Sequence, residues 1–218
     1  MTTLTSNAPI FVVGGGIGGL AAALTIAREG CHVKVLEQAR AIGEIGACIQ
    51  LGPNAFATLD TLGVGESARG YAVCAQRLVM IDAVDGEQVV DLPVGEAFRN
   101  RFGNPYAVIH RRDVQSTLLQ GVQATDRIEF LTSARIVTIA ETTSGVTATE
   151  ADGKTYGGSA LIGRGGVKSM VRQQLIGDPP RLSGDVVYPT LLAADDFPGE
   201  LRLNAPVLWV GPDCHIVH

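Results

Sequence analysis

Gly14, Gly16 and Gly19 stand in the spacing G-x-G-x-x-G, with Gly15, Ile17 and Gly18 between them. In this pattern the first glycine permits a tight turn, the second lets backbone approach a pyrophosphate, and the third lets a helix pack closely on a strand. The chemistry on offer is anion binding without a basic side chain, because free N–H groups and the positive end of a helix dipole face the phosphates. An acid about 20 residues further on completes the pattern, and Glu37 stands there. At the end of a strand its carboxylate can accept hydrogen bonds from both ribose hydroxyls of an adenosine. The same acid disfavours a 2'-phosphate, so NADP is not expected at this site. The alternatives are a glycine turn without a ligand and a bystander surface acid.

The elements that must position these residues are readable on either side. Residues 9–13, Pro-Ile-Phe-Val-Val, form a continuous apolar run rich in β-branched side chains, as in a parallel strand covered on both faces. Residues 17–29 have helix composition and Gly30 supplies a stop. Residues 32–37 alternate and end in the acid, giving strand, glycine turn, helix, strand. Pro53 can open a helix that runs to Gly63. Residues 76–81 and 88–92, around Asp85-Gly86, predict a hairpin, and residues 134–140 with 145–150 predict another. Residues 112–121 read as a helix, 128–130 as a strand, 159–162 as a strand and 167–175 as a helix. Residues 184–193 and 207–210 read as strands that return to the first hairpin.

The bulk composition excludes several classes. With 46% hydrophobic and 18% charged residues the chain is ordinary globular protein, not disordered. A net charge of -5 with scattered Lys and Arg argues against nucleic-acid binding. Cys31, Cys48, Cys74 and Cys214 are far apart with no C-x-x-C pair, so neither a metal site nor a disulfide framework is expected, and a reducing cytoplasm fits best. No targeting segment is read at residues 1–7, and the apolar stretch 20–27 is far short of the roughly 20 residues of a membrane span.

Five segments together resemble the flavin-dependent aromatic hydroxylases, the group of salicylate, 3-hydroxybenzoate and 6-hydroxynicotinate monooxygenases. They are Val-Val-Gly-Gly-Gly-Ile-Gly-Gly-Leu at 12–20, Gly-Ala-Cys-Ile-Gln-Leu-Gly-Pro-Asn at 46–54, His-Arg-Arg-Asp at 110–113, residues 161–172, and Gly-Pro-Asp-Cys-His at 211–215. The resemblance implies FAD as the bound cofactor, NADH or NADPH as a transient reductant, and O2 and a small phenolic or heteroaromatic acid as substrates. It implies that Arg111 lies over the FAD diphosphate or ribityl chain, that Ala47 and Gln50 come close to the flavin ring, and that His215 stands at the substrate site. A histidine there would accept the phenolic proton, imidazole being the side chain that exchanges protons near neutrality. Solvated arginines beside a helix start, a tight loop before Pro53 and a histidine without a role are the alternatives. Assembly as a homodimer is left open.

The expected fold is α/β, with α+β character in its second layer. A Rossmann-like FAD-binding βαβ domain over 1–75 and 99–180 is interleaved with an incomplete mixed β-sheet substrate domain over 76–98 and 181–218. Two departures from the family pattern bear on activity. At 163–166 the chain reads Gly-Arg-Gly-Gly, where the family carries a small residue and then an aspartate at the positions of Arg164 and Gly165. The family pattern also continues through more sheet, a Gly-Asp motif and closing helices, so the chain is expected to be truncated, with weak or absent turnover. The competing reading is a non-catalytic remnant that retains dinucleotide binding.

Overall fold

The computed structural model describes residues 8–43 and 46–218. The reading of residues 1–7 as free of a targeting signal lies outside the described residues. In chain order the first elements are β1 (Ile10–Val13), α1 (Ile17–Arg28), β2 (Val33–Leu36), β3 (Cys48–Leu51), α2 (Pro53–Thr61), α3 (Gly65–Tyr71) and β4 (Val73–Cys74). There follow β5 (Arg77–Asp82), β6 (Gln88–Pro93), α4 (Glu96–Phe102), β7 (Ala107–His110), α5 (Arg111–Gln123) and β8 (Ile128–Leu131). The chain continues with β9 (Ile136–Thr142), β10 (Gly145–Glu150), β11 (Thr155–Gly158), β12 (Ala160–Gly163), α6 (Met170–Leu175), β13 (Val207–Gly211) and β14 (Cys214–Val217). Two compact units result: the described residues of 1–44 with 114–187, and those of 45–113 with 188–218.

The first unit is built on a sheet of order β12-β1-β2-β8, parallel throughout. Its inner strand β1 is apolar on both faces, which requires cover on both sides. Val12 points to the side of α1, where a Cβ on Gly19 would lie 3.5 Å from its Cγ1. α1 buries Leu20, Ala23, Leu24 and Ala27, the stripe expected of an amphipathic helix. Phe11 and Val13, one residue either side of Val12, point the other way and pack with Ile136, Ile139, Val146, Ala148 and Tyr156 of the antiparallel sheet β11-β10-β9. This parallel βαβ arrangement is the Rossmann-like core expected from residues 9–37.

The second unit holds two sheets of order β14-β13-β5-β6 and β3-β7-β4. The first is mixed: β13 runs parallel to β5, and β14 and β6 pair antiparallel on the outside. Phe56, Leu59, Val79, Val94, Ile109 and Val207 are among its buried side chains.

Two expectations need correction. Residues 184–193 form no strand; Pro189 interrupts the run, and Val186, Val187, Tyr188, Leu191 and Leu192 are all exposed. Only β13 and β14 join the hairpin sheet. The helix read over 167–175 is broken, with a short 3-10 turn at Gly166–Lys168. Ser169 then leaves helical geometry and caps α6, its Oγ accepting the Arg172 N–H at 3.2 Å. The short elements β3, α3, β4, α4, β7, β11 and β14 have no counterpart in the sequence reading. Residues 45–75 and 99–113 pack in the same compact unit as the hairpin 77–93.

Candidate cofactor site

The turn between β1 and α1 is shaped by backbone contact. Gly14 has φ +114, and a Cβ there would meet the Arg164 carbonyl oxygen at 2.5 Å, so this position needs glycine twice over. A Cβ on Gly19 would lie 1.8 Å from the Gly14 carbonyl oxygen. Only a hydrogen lets α1 begin this close to β1. Gly16, by contrast, faces open space, with nothing within 4 Å of a Cβ. It is the N-cap of α1 and offers no side-chain cap, while Gly19 and Leu20 donate to its carbonyl at 2.9 and 3.0 Å. The amides of Ile17 and Gly18 in the first helical turn have no intrahelical acceptor. The turn is therefore a glycine cradle with open amides and no side chain above its second glycine, which fits the diphosphate of a dinucleotide.

Glu37 follows β2 directly. Its Oε2 accepts the Gly15 N–H at 2.5 Å, and its Oε1 accepts the Ala39 N–H at 2.8 Å. Each carboxylate oxygen keeps a second lone pair. The half-buried carboxylate is thus aimed by the turn itself and remains able to accept from ribose hydroxyls. A Cβ on Gly15 would press on Glu37 and on the Phe130 ring at 3.0 to 3.1 Å.

Arg164, at the end of the neighbouring strand β12, donates its amide to the Val13 carbonyl at 2.8 Å. Its guanidinium lies across the head of α1, where a Cβ on Gly18 would be 2.0 Å from Nη2. Gly165 has φ -73 and ψ 9, conformations open to any residue. A Cβ there would approach Ser169 at 3.2 to 3.4 Å, a fit that costs a few tenths of an ångström.

In the second unit, antiparallel register sets Ala47 beside Arg111, while Gln50 lies three residues further along the chain, opposite Val108. β3 pairs with β7 so that Cys48 opposes His110 and Gln50 opposes Val108. The Arg111 amide donates to the Ala47 carbonyl at 3.3 Å, and the Tyr106 hydroxyl donates to Gln50 Oε1 at 2.5 Å. Gln50 and Arg111 are exposed and Ala47 is half-buried. His215 stands on the other sheet of this unit, exposed on the edge strand β14 opposite Val210.

Arg69 of α3 ties α2 to the loop before β7. It donates to Asp60 Oδ1 at 2.7 Å, to Asp60 Oδ2 at 2.5 Å and to Asn104 Oδ1 at 2.5 Å, and sits 5.4 Å over the Phe56 ring. The hydrogen bond from Arg69 holds the Asp60 carboxyl below its ordinary value of 3.8, and the guanidinium is held above its own ordinary range by the same bond.

A glycine cradle after a parallel strand, with an acid on the next strand, defines the chain as a dinucleotide-binding protein of the Rossmann-like kind. Residues 7–185 match the model of the FAD binding domain, and the chain belongs to that family, whose cofactor is FAD. It is 56% identical over its whole length to 3-hydroxybenzoate 6-hydroxylase of Polaromonas naphthalenivorans, covering 54% of that protein. It is 53% identical over 95% of its length to the 3-hydroxybenzoate 6-hydroxylase of Klebsiella oxytoca, covering 52% of it. The chain therefore spans about half the length of the curated relatives it matches. Among solved structures, Klebsiella pneumoniae HpxO complexed with FAD and uric acid superposes with a TM-score of 0.67 at 27% identity, over 83% of this chain and 45% of that one. The 2,6-dihydroxypyridine-3-hydroxylase of Arthrobacter nicotinovorans shares the fold with a TM-score of 0.72 at 22% identity, over 97% of this chain and 51% of that one. No helix among the described residues is long and apolar enough to cross a membrane.

Sequence reasoning missed three features of these sites: the fastening of Glu37 to Gly15, the Tyr106–Gln50 contact, and the placement of the Arg164 side chain. The first is implicit in the motif spacing. The other two depend on which strands become neighbours, β3 with β7 and β1 with β12, and no local signal carries that.

Proposed function

We propose that this chain is the FAD-holding part of a flavin-dependent monooxygenase that hydroxylates a phenolic or heteroaromatic carboxylic acid with NADH or NADPH and O2. The observation that carries the reading is the glycine cradle open above Gly16, with Glu37 fastened beside it, in a chain of the FAD binding domain family. Extensive identity to proteins named 3-hydroxybenzoate 6-hydroxylase favours a hydroxybenzoate as the acid.

FAD, when bound, accepts electrons from the nicotinamide and delivers one oxygen atom of O2 to the ring. The residues of this chain hold and aim it. In this reading the cradle of Gly14, Gly15, Gly16, Ile17, Gly18 and Gly19 receives the diphosphate on open amides and a helix dipole. Glu37 takes the adenosine ribose through its remaining lone pairs. Ala47 and Gln50 border the flavin ring, and Arg111 donates to the diphosphate or ribityl chain; the backbone contact of Ala47 with Arg111 at the end of the β3–β7 pair supports a shared role for those two. His215 accepts the phenolic proton, and its exposed imidazole supports access to a ligand. Residues 1–75 and 99–180 serve the cofactor, and 76–98 and 181–218 serve the substrate. The location is cytoplasmic, a setting supported by four cysteines that are all free thiols.

The test is a titration of the purified 218-residue protein with FAD, followed by absorbance and flavin fluorescence, then an assay of 3-hydroxybenzoate-dependent NADH oxidation. Saturable FAD binding with little coupled turnover is expected, because Gly165 lacks the carboxylate that the family resemblance calls for. Absence of both FAD and ADP binding would overturn the reading.

Gly165 also favours a second reading, a dinucleotide-binding module that performs no redox chemistry. A colourless protein that binds ADP but not FAD, even as the Gly165→Asp variant, would support that module over the monooxygenase.

A further inference from the structure

The Arg164 guanidinium is oddly placed for a side chain with only a structural role. It is exposed, it lies across Gly18 at the head of α1, and among the described residues no carboxylate pairs with it. A cation at a helix N-terminus faces the positive end of the dipole, an arrangement that is unfavourable until an anion sits between them. The backbone leaves no freedom to move the residue's root away. The Arg164 amide is fixed to Val13 by the β1–β12 ladder, and its carbonyl lies against Gly14. A side chain rooted there and reaching Gly18 spans the rim of the cradle. Gly18 has no Cβ, which makes the room for the guanidinium.

We propose that Arg164 is a phosphate clasp, its guanidinium closing over the diphosphate of the bound dinucleotide while the Ile17 and Gly18 amides hold the opposite side. The proposal rests on reading the 14–19 turn as a dinucleotide site and adds a charged residue to it. A planar guanidinium can donate two parallel hydrogen bonds to phosphate oxygens, and an anion between it and the dipole satisfies both. The clasp acts on phosphate alone. The adenosine end of the ligand is left to Glu37, which follows β2, on the other side of β1 from β12.

The distinguishing measurement compares ADP with adenosine, both titrated into the 218-residue protein and followed by NMR chemical shifts. Arg164→Ala is expected to weaken ADP about ten-fold and to leave adenosine unchanged, which also reports that the site remains folded. Arg164→Lys should fall between the two, retaining charge without the bidentate geometry. The loss should shrink as salt is raised, because the interaction is screened. Unchanged ADP affinity in Arg164→Ala, with adenosine still bound, would overturn the clasp and leave the dinucleotide reading intact. Tighter ADP binding in that variant would also overturn it, showing that the guanidinium obstructs the cradle. Failure of the unmodified protein to bind either ligand would overturn both readings together.

Discussion

The two compact units are held together by different means. In the first, decisive contacts are between backbones: Gly14 against Arg164, Gly19 against Gly14, and parallel strands whose apolar side chains are packed from both faces. In the second, polar side chains from distant parts of the sequence tie short elements together, as Arg69 does with Asp60 and Asn104, and Tyr106 with Gln50. Backbone contact tolerates no added atom, whereas a polar network at half-exposed positions loses its partners one at a time. The first unit should therefore fail abruptly under small substitutions and the second gradually.

The largest effect is expected from Gly19→Ala. Its methyl would have to occupy space 1.8 Å from the Gly14 carbonyl oxygen. Neither β1 nor α1 can withdraw without opening the core, so a loss of about 3 kcal/mol or more in denaturant unfolding is expected. A loss below about 1 kcal/mol would show that the first unit yields as readily as the second.

Arg69→Ala probes the second unit. It removes two hydrogen bonds to Asp60, one to Asn104 and the contact with the Phe56 ring. With both partners part-exposed the expected loss is about 1 to 2 kcal/mol, read from the same unfolding curves. A collapse as large as that of Gly19→Ala would erase the contrast.

Glu37→Ala tests a polar contact inside the backbone-dominated unit. Two amides, Gly15 and Ala39, lose their acceptor. About 1 kcal/mol of stability should go with them, and binding of adenosine should weaken because the carboxylate is the ribose acceptor in the proposed site. Unchanged adenosine binding would separate the structural role of Glu37 from the ligand role.

The smallest effect concerns pH. Asp60 has its carboxyl lowered by the hydrogen bond from Arg69, so it binds a proton more readily in the unfolded chain than in the folded one. Its contribution is present above the ordinary value of 3.8 and is lost as pH falls through the lower folded value. The pair is half-exposed, which limits the contribution to about 0.5 kcal/mol. Asp60→Asn should flatten stability below pH 4 by about that amount relative to the unmodified protein. A difference appearing only above neutrality would assign the pH dependence to other groups.

The contrast also explains what could be read in advance. The first unit was legible because its signals are local: the apolar run at 9–13, the glycines at 14, 16 and 19, and the acid at 37 lie within one βαβ unit, and backbone geometry demands glycine at 14 and 19. The hairpin at 77–93 was legible for the same reason, its turn residues lying between two alternating strands. The elements β3 and β7 were not. Each is four residues long; β3 becomes a strand by pairing with β7 across more than 50 intervening positions, and β7 by pairing with β3 and β4. Residues 184–193 failed in the opposite sense, having strand composition but no partner among the described strands.

By itself, then, the amino-acid sequence determined the glycine cradle, the acid that serves it and the parallel core around both, because steric limits on backbone leave glycine and β-branched residues few other uses in that order. Only the tertiary structure decided which side chains gather at those backbones. The pairing of β12 with β1 carries Arg164 to Gly18, and the pairing of β3 with β7 sets Ala47 beside Arg111 and Gln50 within reach of Tyr106. Those placements follow from long-range strand register, which no short stretch of residues encodes.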